Sequence, residues 1–485
     1  MSAPERFPTQ LVIGGERVDA AGGRTFGVVN PATEETIAQV AEAQAADVDR
    51  AVAAARATFE SDAWRGMSAR QRGAILHRLG DLITQHKDEL ARLETLNNGK
   101  LLFESAIDVK LTADTFRYYA GWADKLHGET VPVDGPFFNF TLREPLGVIG
   151  AIVPWNFPMS LAAWKLAPAL ACGNTVVLKP APNTPFTAIR LAELALEAGL
   201  PAGALNCVPG DGPTAGGALV RSADVDKIAF TGSTAVGKQV MREAAGTVKK
   251  LSLELGGKSP NIVFADADLD AAARGALSGI FYGKGEVCAA GSRLLVEESV
   301  REALTAKILE RAKKMVAGDP LDPKTRLGAI VSRAQMEKVL GYIKTGRDEG
   351  ATLLAGGERT PVNGKGFFVQ PTIFGGVERG MTIAREEIFG PVLAMMTFTG
   401  GVAGAVALAN DTIYGLAAGI WTRDIGKALR TARAVRAGTV WINTYNVYDA
   451  ASPFGGYKQS GFGRELGVHA LDGYSQVKSV WVDLA

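Results

Sequence analysis

Apolar positions along this chain change period more than once. Between residues 46 and 96 they recur at helical spacing, which predicts two helices. The second opens on Ser68-Ala-Arg-Gln71, a capping box. It carries Ile75, Leu79, Leu82, Ile83, Leu90 and Leu93 on one stripe, and Asn98-Gly99 marks its end. From 129 to 145, "ETVPVDGPFFNFTLREP" alternates about a Pro-Asp-Gly turn and predicts an exposed hairpin. Apolar runs then alternate with helical stretches: "VIGAIVPW" before 159–171, "NTVVLKP" before 184–198, "ALNCVPG" before 213–221 and "KIAF" before 237–247. "LSLELGG" and "PNIVFAD" follow. This alternation predicts a parallel, doubly wound sheet with ligands outside the carboxyl ends of its strands. The pattern restarts after residue 257, with "VQPTIF", "VLAMMTF", "AAGIWT" and "GTVWINTY" as strands. The tail "SQVKSVWVDLA" alternates as one more, at an edge.

Composition narrows the partners. A net charge of +1 with 21% charged residues gives no reason to expect nucleic acid or an anionic membrane. The N-terminus, MSAPERFPTQ, lacks the apolar stretch of a leader, and the longest apolar run, Leu146 to Trp155, is roughly half a membrane span. Cys172, Cys207 and Cys288 are the only cysteines and form no C-x-x-C pair, which suits a reducing, cytoplasmic setting without disulfides or a zinc cluster. Histidine is scarce too: His77, His86, His127 and His469, with no H-E-x-x-H helix or G-x-S-x-G elbow. The chemistry is left to carboxylates, amides, lysines or a thiol.

Gly232-Ser-Thr-Ala-Val-Gly237-Lys238 matches a phosphate loop until Gln239 stands where a hydroxyl should hold magnesium. What survives is a strand ending in a glycine turn that aims a helix N-terminus at an anion, which suits any pyrophosphate. Cys288, in "FYGKGEVCAAGS", has Gly283, Gly285 and Gly291 to let backbone approach a ligand and receive an oxyanion. Glu254 closes an apolar strand, where partial burial would raise its pKa toward a general base's range. Asn156 in "PWNFP" is held between prolines and offers an amide N–H to an oxyanion. A solvated carboxylate, a buried thiol and a turn asparagine are the plain readings of the same three residues.

The motifs "REPLGVIGAIVPWNFP", "LKPAPNTP", "FTGSTAVGK", "LELGGKSPNIVF", "GEVCAAGSR", "EEIFGPV" and "SPFGGYKQSGFGRELG" run in order from residue 143 to 467. Together they resemble the aldehyde dehydrogenase superfamily, of the hydrolytic NAD(P)-dependent kind. The spacing of 34 residues from Glu254 to Cys288 is also the family's. The resemblance implies two doubly wound α/β domains, for cofactor (1–124 and 146–256) and catalysis (257–456). A small β oligomerisation element (125–145 and 457–485) would make a homodimer or homotetramer. It implies Cys288 as nucleophile, Asn156 and the Cys288 N–H as oxyanion donors, and Glu254 as the base that hydrolyses a thioester. NAD or NADP would lie along Ile152, Val153, Pro154, Trp155, Lys179, Pro182, Gly212, Phe230, Gly232, Ser233, Val236, Leu255, Glu387 and Phe389. Lys179 would hold the adenosine ribose and Glu387 the nicotinamide ribose, leaving Lys238 as a surface cation.

Two departures bear on that pattern. Pro182 stands where NAD-preferring members carry a glutamate, which favours NAD less strictly and leaves NADP open. Glu286 replaces the common glutamine two residues before the cysteine; it could raise the thiol's pKa or point away. Phe157, Trp164, Tyr282, Val287, Ala289, Tyr448 and Phe454 match the family's substrate tunnel, and ordinary aromatic core is the plain reading. The tunnel would suit an apolar aliphatic or aromatic aldehyde. A quaternary ammonium aldehyde or a semialdehyde is the alternative, and a magnesium-dependent nucleotide hydrolase a remote one.

Overall fold

The computed structural model describes residues 7–485; the first six residues of the N-terminal stretch read above lie outside the described residues. Two large sheets dominate. The first has eight strands, in the order Gly461–Phe462, Lys250–Glu254, Lys227–Thr231, Val148–Ile152, Thr175–Lys179, Leu205–Cys207, Leu11–Ile13 and Glu16–Val18. Its five central strands are parallel. Val148–Ile152 and Thr175–Lys179 are buried at every position, as strands covered on both faces must be. The second has seven strands, in the order Thr352–Ala355, Thr372–Gly375, Val392–Phe398, Arg293–Glu297, Pro260–Val263, Ala417–Trp421 and Thr439–Ile442. In a third sheet the tail, Ser475–Asp483, pairs along all of Phe137–Pro145, which also pairs with Thr130–Val131.

Several elements differ from the sequence pattern. Residues 46–96 hold not two helices but Ala45–Glu60, Asp62–Arg65, Ala69–Gln85 and Lys87–Asn98. The Ser68–Gln71 capping box forms, but the chain bends at His86, whose backbone leaves the helical region. Leu79, Leu82, Ile83 and Leu90 still reach one core across the bend. Gly99 ends the last of these helices at φ 84°, a left-handed conformation open to glycine. The helix expected over 237–247 runs Thr234–Ala244, capped by Ser233, because that side chain accepts from the Val236 N–H. The one expected over 213–221 opens as a wider turn, Gly212–Gly216, before Gly217–Arg221. No apolar periodicity marks the long helix Leu102–Trp122, since its buried face carries Glu104, Ser105, Asp108, Thr112 and Thr115.

The first sheet supplies a crevice. Neighbouring strands Val148–Ile152, Lys227–Thr231 and Lys250–Glu254 end side by side, delivering Pro154–Asn156, Gly232–Ser233 and Glu254 to one rim. Glycines 256 and 257 then carry the chain into the second sheet. An added Cβ at Gly256 would collide with the Glu387 carboxylate, and one at Gly257 with the Cys288 carbonyl. That double glycine lets both groups close on the crevice.

Candidate active site

Asn156, Glu254 and Cys288 line one cleft of about 200 Å3, together with Pro154, Trp155, Gly232, Ser233, Glu387 and Phe389. A larger cavity of about 670 Å3, against helix Arg301–Ala312, holds none of the candidate residues. Asn156 is buried; its Nδ2 donates to the Glu286 carbonyl at 2.9 Å, which leaves its second N–H free, and its Oδ1 has no partner. Glu254 is buried at a strand end, and neither carboxylate oxygen accepts an aligned hydrogen bond. Burial pushes its pKa up to about 8, and the Glu465 and Glu387 charges add to the rise. Cys288 is pushed well above the usual thiol range by burial and by the adjacent Glu254 charge. The resting site therefore holds a thiol against a carboxyl group that has no other hydrogen-bond partner.

Glu387 receives a single backbone hydrogen bond, from the Gly257 N–H at 2.9 Å, and burial raises it to about 7. Phe389 stands at φ 59° with its ring edge-on to Trp155, the centroids 5.2 Å apart. Gln335 holds that strained turn by donating to the Phe389 carbonyl at 2.7 Å. Behind Glu254, buried Lys165 pairs with Glu465 and donates to Thr231 Oγ1 at 2.6 Å.

The cleft suits a dinucleotide. Gly232 has no room for a Cβ against the Phe230 ring, and it lies directly before the capped N-terminus of an eleven-residue helix. Among the described residues no cluster of histidine, cysteine or acid could hold a metal. The model of the aldehyde dehydrogenase family matches residues 18–480. The chain belongs to that family. It is an NAD(P)-dependent oxidoreductase of the aldehyde dehydrogenase type. It is 51% identical to the human mitochondrial aldehyde dehydrogenase, over 99% of this chain and 93% of that protein. The NAD+ complex of a Bacillus cereus aldehyde dehydrogenase superposes with a TM-score of 0.97 at 49% identity, covering 98% of this chain and 97% of that one. An indole-3-acetaldehyde dehydrogenase variant from P. syringae, in complex with NAD+ and IAA, gives 0.97 at 48% identity over 99% and 97%.

Other residues that the aldehyde dehydrogenase resemblance singled out lie off this cleft. Ile152, Val153, Phe230 and Leu255 are buried at or just beyond strand ends, and Leu255 packs on Gly237. Lys179 is buried at its strand's end, its amine lowered to about 8 by burial, and donates to the Pro180 carbonyl at 3.0 Å. Pro182 is half-buried, while Gly212 and Val236 are exposed. Lys238 lies on the surface, donating to Gln459 Oε1 at 2.9 Å. Thr231, Gly256, Gln335 and Lys338 also line the cleft and were not anticipated. Gln335 and Lys338 share a helix face three residues apart, a spacing ordinary amphipathic helices also show.

The seven tunnel candidates gather in one apolar cluster with Cys288. Trp164, Val287, Ala289 and Phe454 are buried, and Phe157, Tyr282 and Tyr448 pack against them. Trp164 meets Phe454 at 5.4 Å and Tyr448 at 6.1 Å between centroids, and Phe157 stacks on Tyr282 at 6.3 Å. Trp441 and Tyr445, not anticipated, extend the cluster; the Tyr445 hydroxyl donates to the Ala289 carbonyl at 2.8 Å. The Glu286 carboxylate turns away from the thiol, accepting from the Val331 N–H at 3.1 Å and lying 2.9 Å from the Lys284 amine.

Proposed function

We propose that this aldehyde dehydrogenase oxidises an apolar aliphatic or aromatic aldehyde to its carboxylic acid, with hydrolysis of a thioester on Cys288. The observation that carries the reading is the convergence of Cys288, Glu254 and Asn156 on the cleft headed by Gly232 and Ser233. Cys288 gives its thiol proton to solvent water and adds to the aldehyde carbon, forming a C–S bond while the carbonyl electrons move to oxygen. The free Asn156 N–H and the Cys288 backbone N–H receive that oxyanion. Bound NAD+ supplies the acceptor for the hydride and its two electrons, and the acyl group stays on sulfur. Glu254 then takes a proton from water, which attacks the thioester and releases the acid and the thiolate. A neutral carboxyl in the resting state and a carboxylate at this step is what a raised pKa near the working pH supplies.

Trp155, Gly232, Ser233, Glu387 and Phe389 would hold NAD across the cleft, with Ile152, Val153, Pro154, Phe230 and Leu255 shaping its floor. Lys179, Pro182, Gly212 and Val236 would border the adenosine end, where Pro182 leaves NADP open. The aromatic cluster about Cys288 supports an apolar substrate, and the P. syringae relative's indole aldehyde agrees with it. The eight-stranded sheet serves as cofactor domain and the seven-stranded sheet as catalytic domain. The third sheet exposes Phe138, Leu142 and Val482 on one face and Phe137 and Trp481 on the other, which supports a homodimer or homotetramer through that sheet. No described helix is long and apolar enough to cross a membrane. The three cysteines, all free, support a place in the reducing cytoplasm.

A panel of aldehydes assayed with NAD+ and NADP+ in parallel tests the reading. Aromatic and medium-chain aliphatic aldehydes should give reduced cofactor. Cys288→Ala should lower kcat/KM by about 10^4-fold or more while keeping cofactor affinity. Oxidation that survives Cys288→Ala would overturn it.

A further inference from the structure

The loop that delivers Cys288 is strained and rests on buried charge. Gly283, Lys284 and Gly285 stand in succession at φ 55°, 61° and 73°, and Lys284 has no glycine's freedom to do so. Its side chain is 1% exposed, and the ammonium donates to Asn98 Oδ1 at 2.5 Å and to the Asn98 carbonyl at 3.1 Å. Glu286 Oε2 lies 2.9 Å away, an ion-pair contact rather than an aligned hydrogen bond. Asn98 in turn donates from Nδ2 to the Trp155 carbonyl at 2.7 Å, on the turn that presents Asn156. The circuit closes through Asn156 Nδ2 and the Glu286 carbonyl. Glu104 anchors the same loop by accepting from the Gly283 N–H at 2.9 Å.

We infer that Lys284, Asn98 and Glu286 form a positioning unit that sets the distance between the nucleophile loop and the oxyanion donor. Lys284 holds its own loop in the left-handed turn, and Asn98 ties that loop to the turn of Asn156. Glu286 balances the lysine's charge in a place water does not reach. Burial opposes ionisation of both partners, and their mutual attraction offsets part of that cost. Removing one partner strands the other, whereas removing both charges leaves two amides able to bond each other. The inference rests on the aldehyde dehydrogenase reading only for one of its two measurements.

The test is a double-variant cycle of Lys284→Gln, Glu286→Gln and both together, on the full chain. The first-turnover burst of reduced cofactor gives one reading. Alkylation of Cys288 by iodoacetamide in the cofactor-free protein, followed on its own peptide by mass spectrometry, gives the other. Each single variant should slow the burst at least tenfold and change the alkylation rate at least threefold, with KM for NAD+ within twofold. The double variant should recover to within fivefold of the parent in both, a rescue that a merely structural role would not produce. Singles within twofold of the parent, or a double as slow as the product of the singles, overturn the inference. Should Lys284→Gln fail to fold, Glu286→Gln against the double variant carries the same comparison. A parent that oxidises no aldehyde would sink the proposed function and leave the alkylation reading to decide this one.

Discussion

Glu254 and Glu286 are both buried beside Cys288, one across the cleft and one two residues back along the chain, and they are held differently. Glu254 has no aligned hydrogen bond on either oxygen. Glu286 has a backbone donor on one oxygen and the Lys284 ammonium beside the other. Glu387 falls between, with one backbone donor. Burial raises all three, so burial alone does not mark the base. What marks it is a carboxylate aimed into the cleft with only the Cys288 thiol beside it, open to water or substrate. A paired carboxylate has its lone pairs spent on holding a loop.

The comparison breaks most sharply at Glu254. Glu254→Gln should allow one round of hydride release and then lower steady turnover by about 10^2 to 10^4-fold. The measurement is a burst of absorbance at 340 nm equal to one equivalent of sites, followed by a near-flat line. Normal steady turnover would remove Glu254 from the role. The acting form is the carboxylate, and its pKa is raised to about 8. Where hydrolysis limits the rate, kcat should therefore climb as pH rises toward 8 and level off above it. The climb should vanish in Glu254→Gln.

Asn156 sharpens the comparison from the donor side. Asn156→Ala removes one oxyanion donor and frees the Glu286 carbonyl, and kcat should fall about 10^2 to 10^3-fold. Asn156→Asp keeps the shape but places a charge against the oxyanion, and should be no better. Stopped-flow measurement of the burst rate checks both, since the loss falls on addition to the aldehyde. A burst unchanged in Asn156→Ala would leave the oxyanion to the Cys288 N–H alone.

Much of this was legible because parallel strands write themselves as continuous apolar runs with their working residues at the ends. Asn156, Gly232 and Glu254 each follow such a run, so the rim of the crevice could be read from the sequence. The helix Leu102–Trp122 could not, because the face it buries is polar, with Asp108 on Lys100 and Glu104 on the nucleophile loop. The same buried charges hide the unit formed by Asn98, Lys284 and Glu286. As single letters these look like a helix end and two surface charges, and only their meeting across 186 positions gives them a task. Gln335 was missed for a related reason: its amide serves a backbone carbonyl of another segment, which no periodicity records.

The smallest effect is expected at Glu387, where one backbone donor already occupies part of the carboxylate. Glu387→Gln keeps an oxygen to accept from the Gly257 N–H, so the glycine turn beneath Cys288 should stay in place. What is lost is a negative charge that helps to raise Glu254. The pH midpoint of kcat should therefore move down, toward the ordinary carboxylate range, while kcat on the plateau stays within about tenfold. KM for the nicotinamide cofactor should rise, since the amide is a weaker acceptor for a ribose hydroxyl than a carboxylate is. A pH–rate profile taken beside a cofactor titration separates the two effects. If the midpoint did not move, Glu387 would be neutral or turned away at the moment Glu254 acts. The ranking of the three carboxylates by their partners would then have to be redrawn.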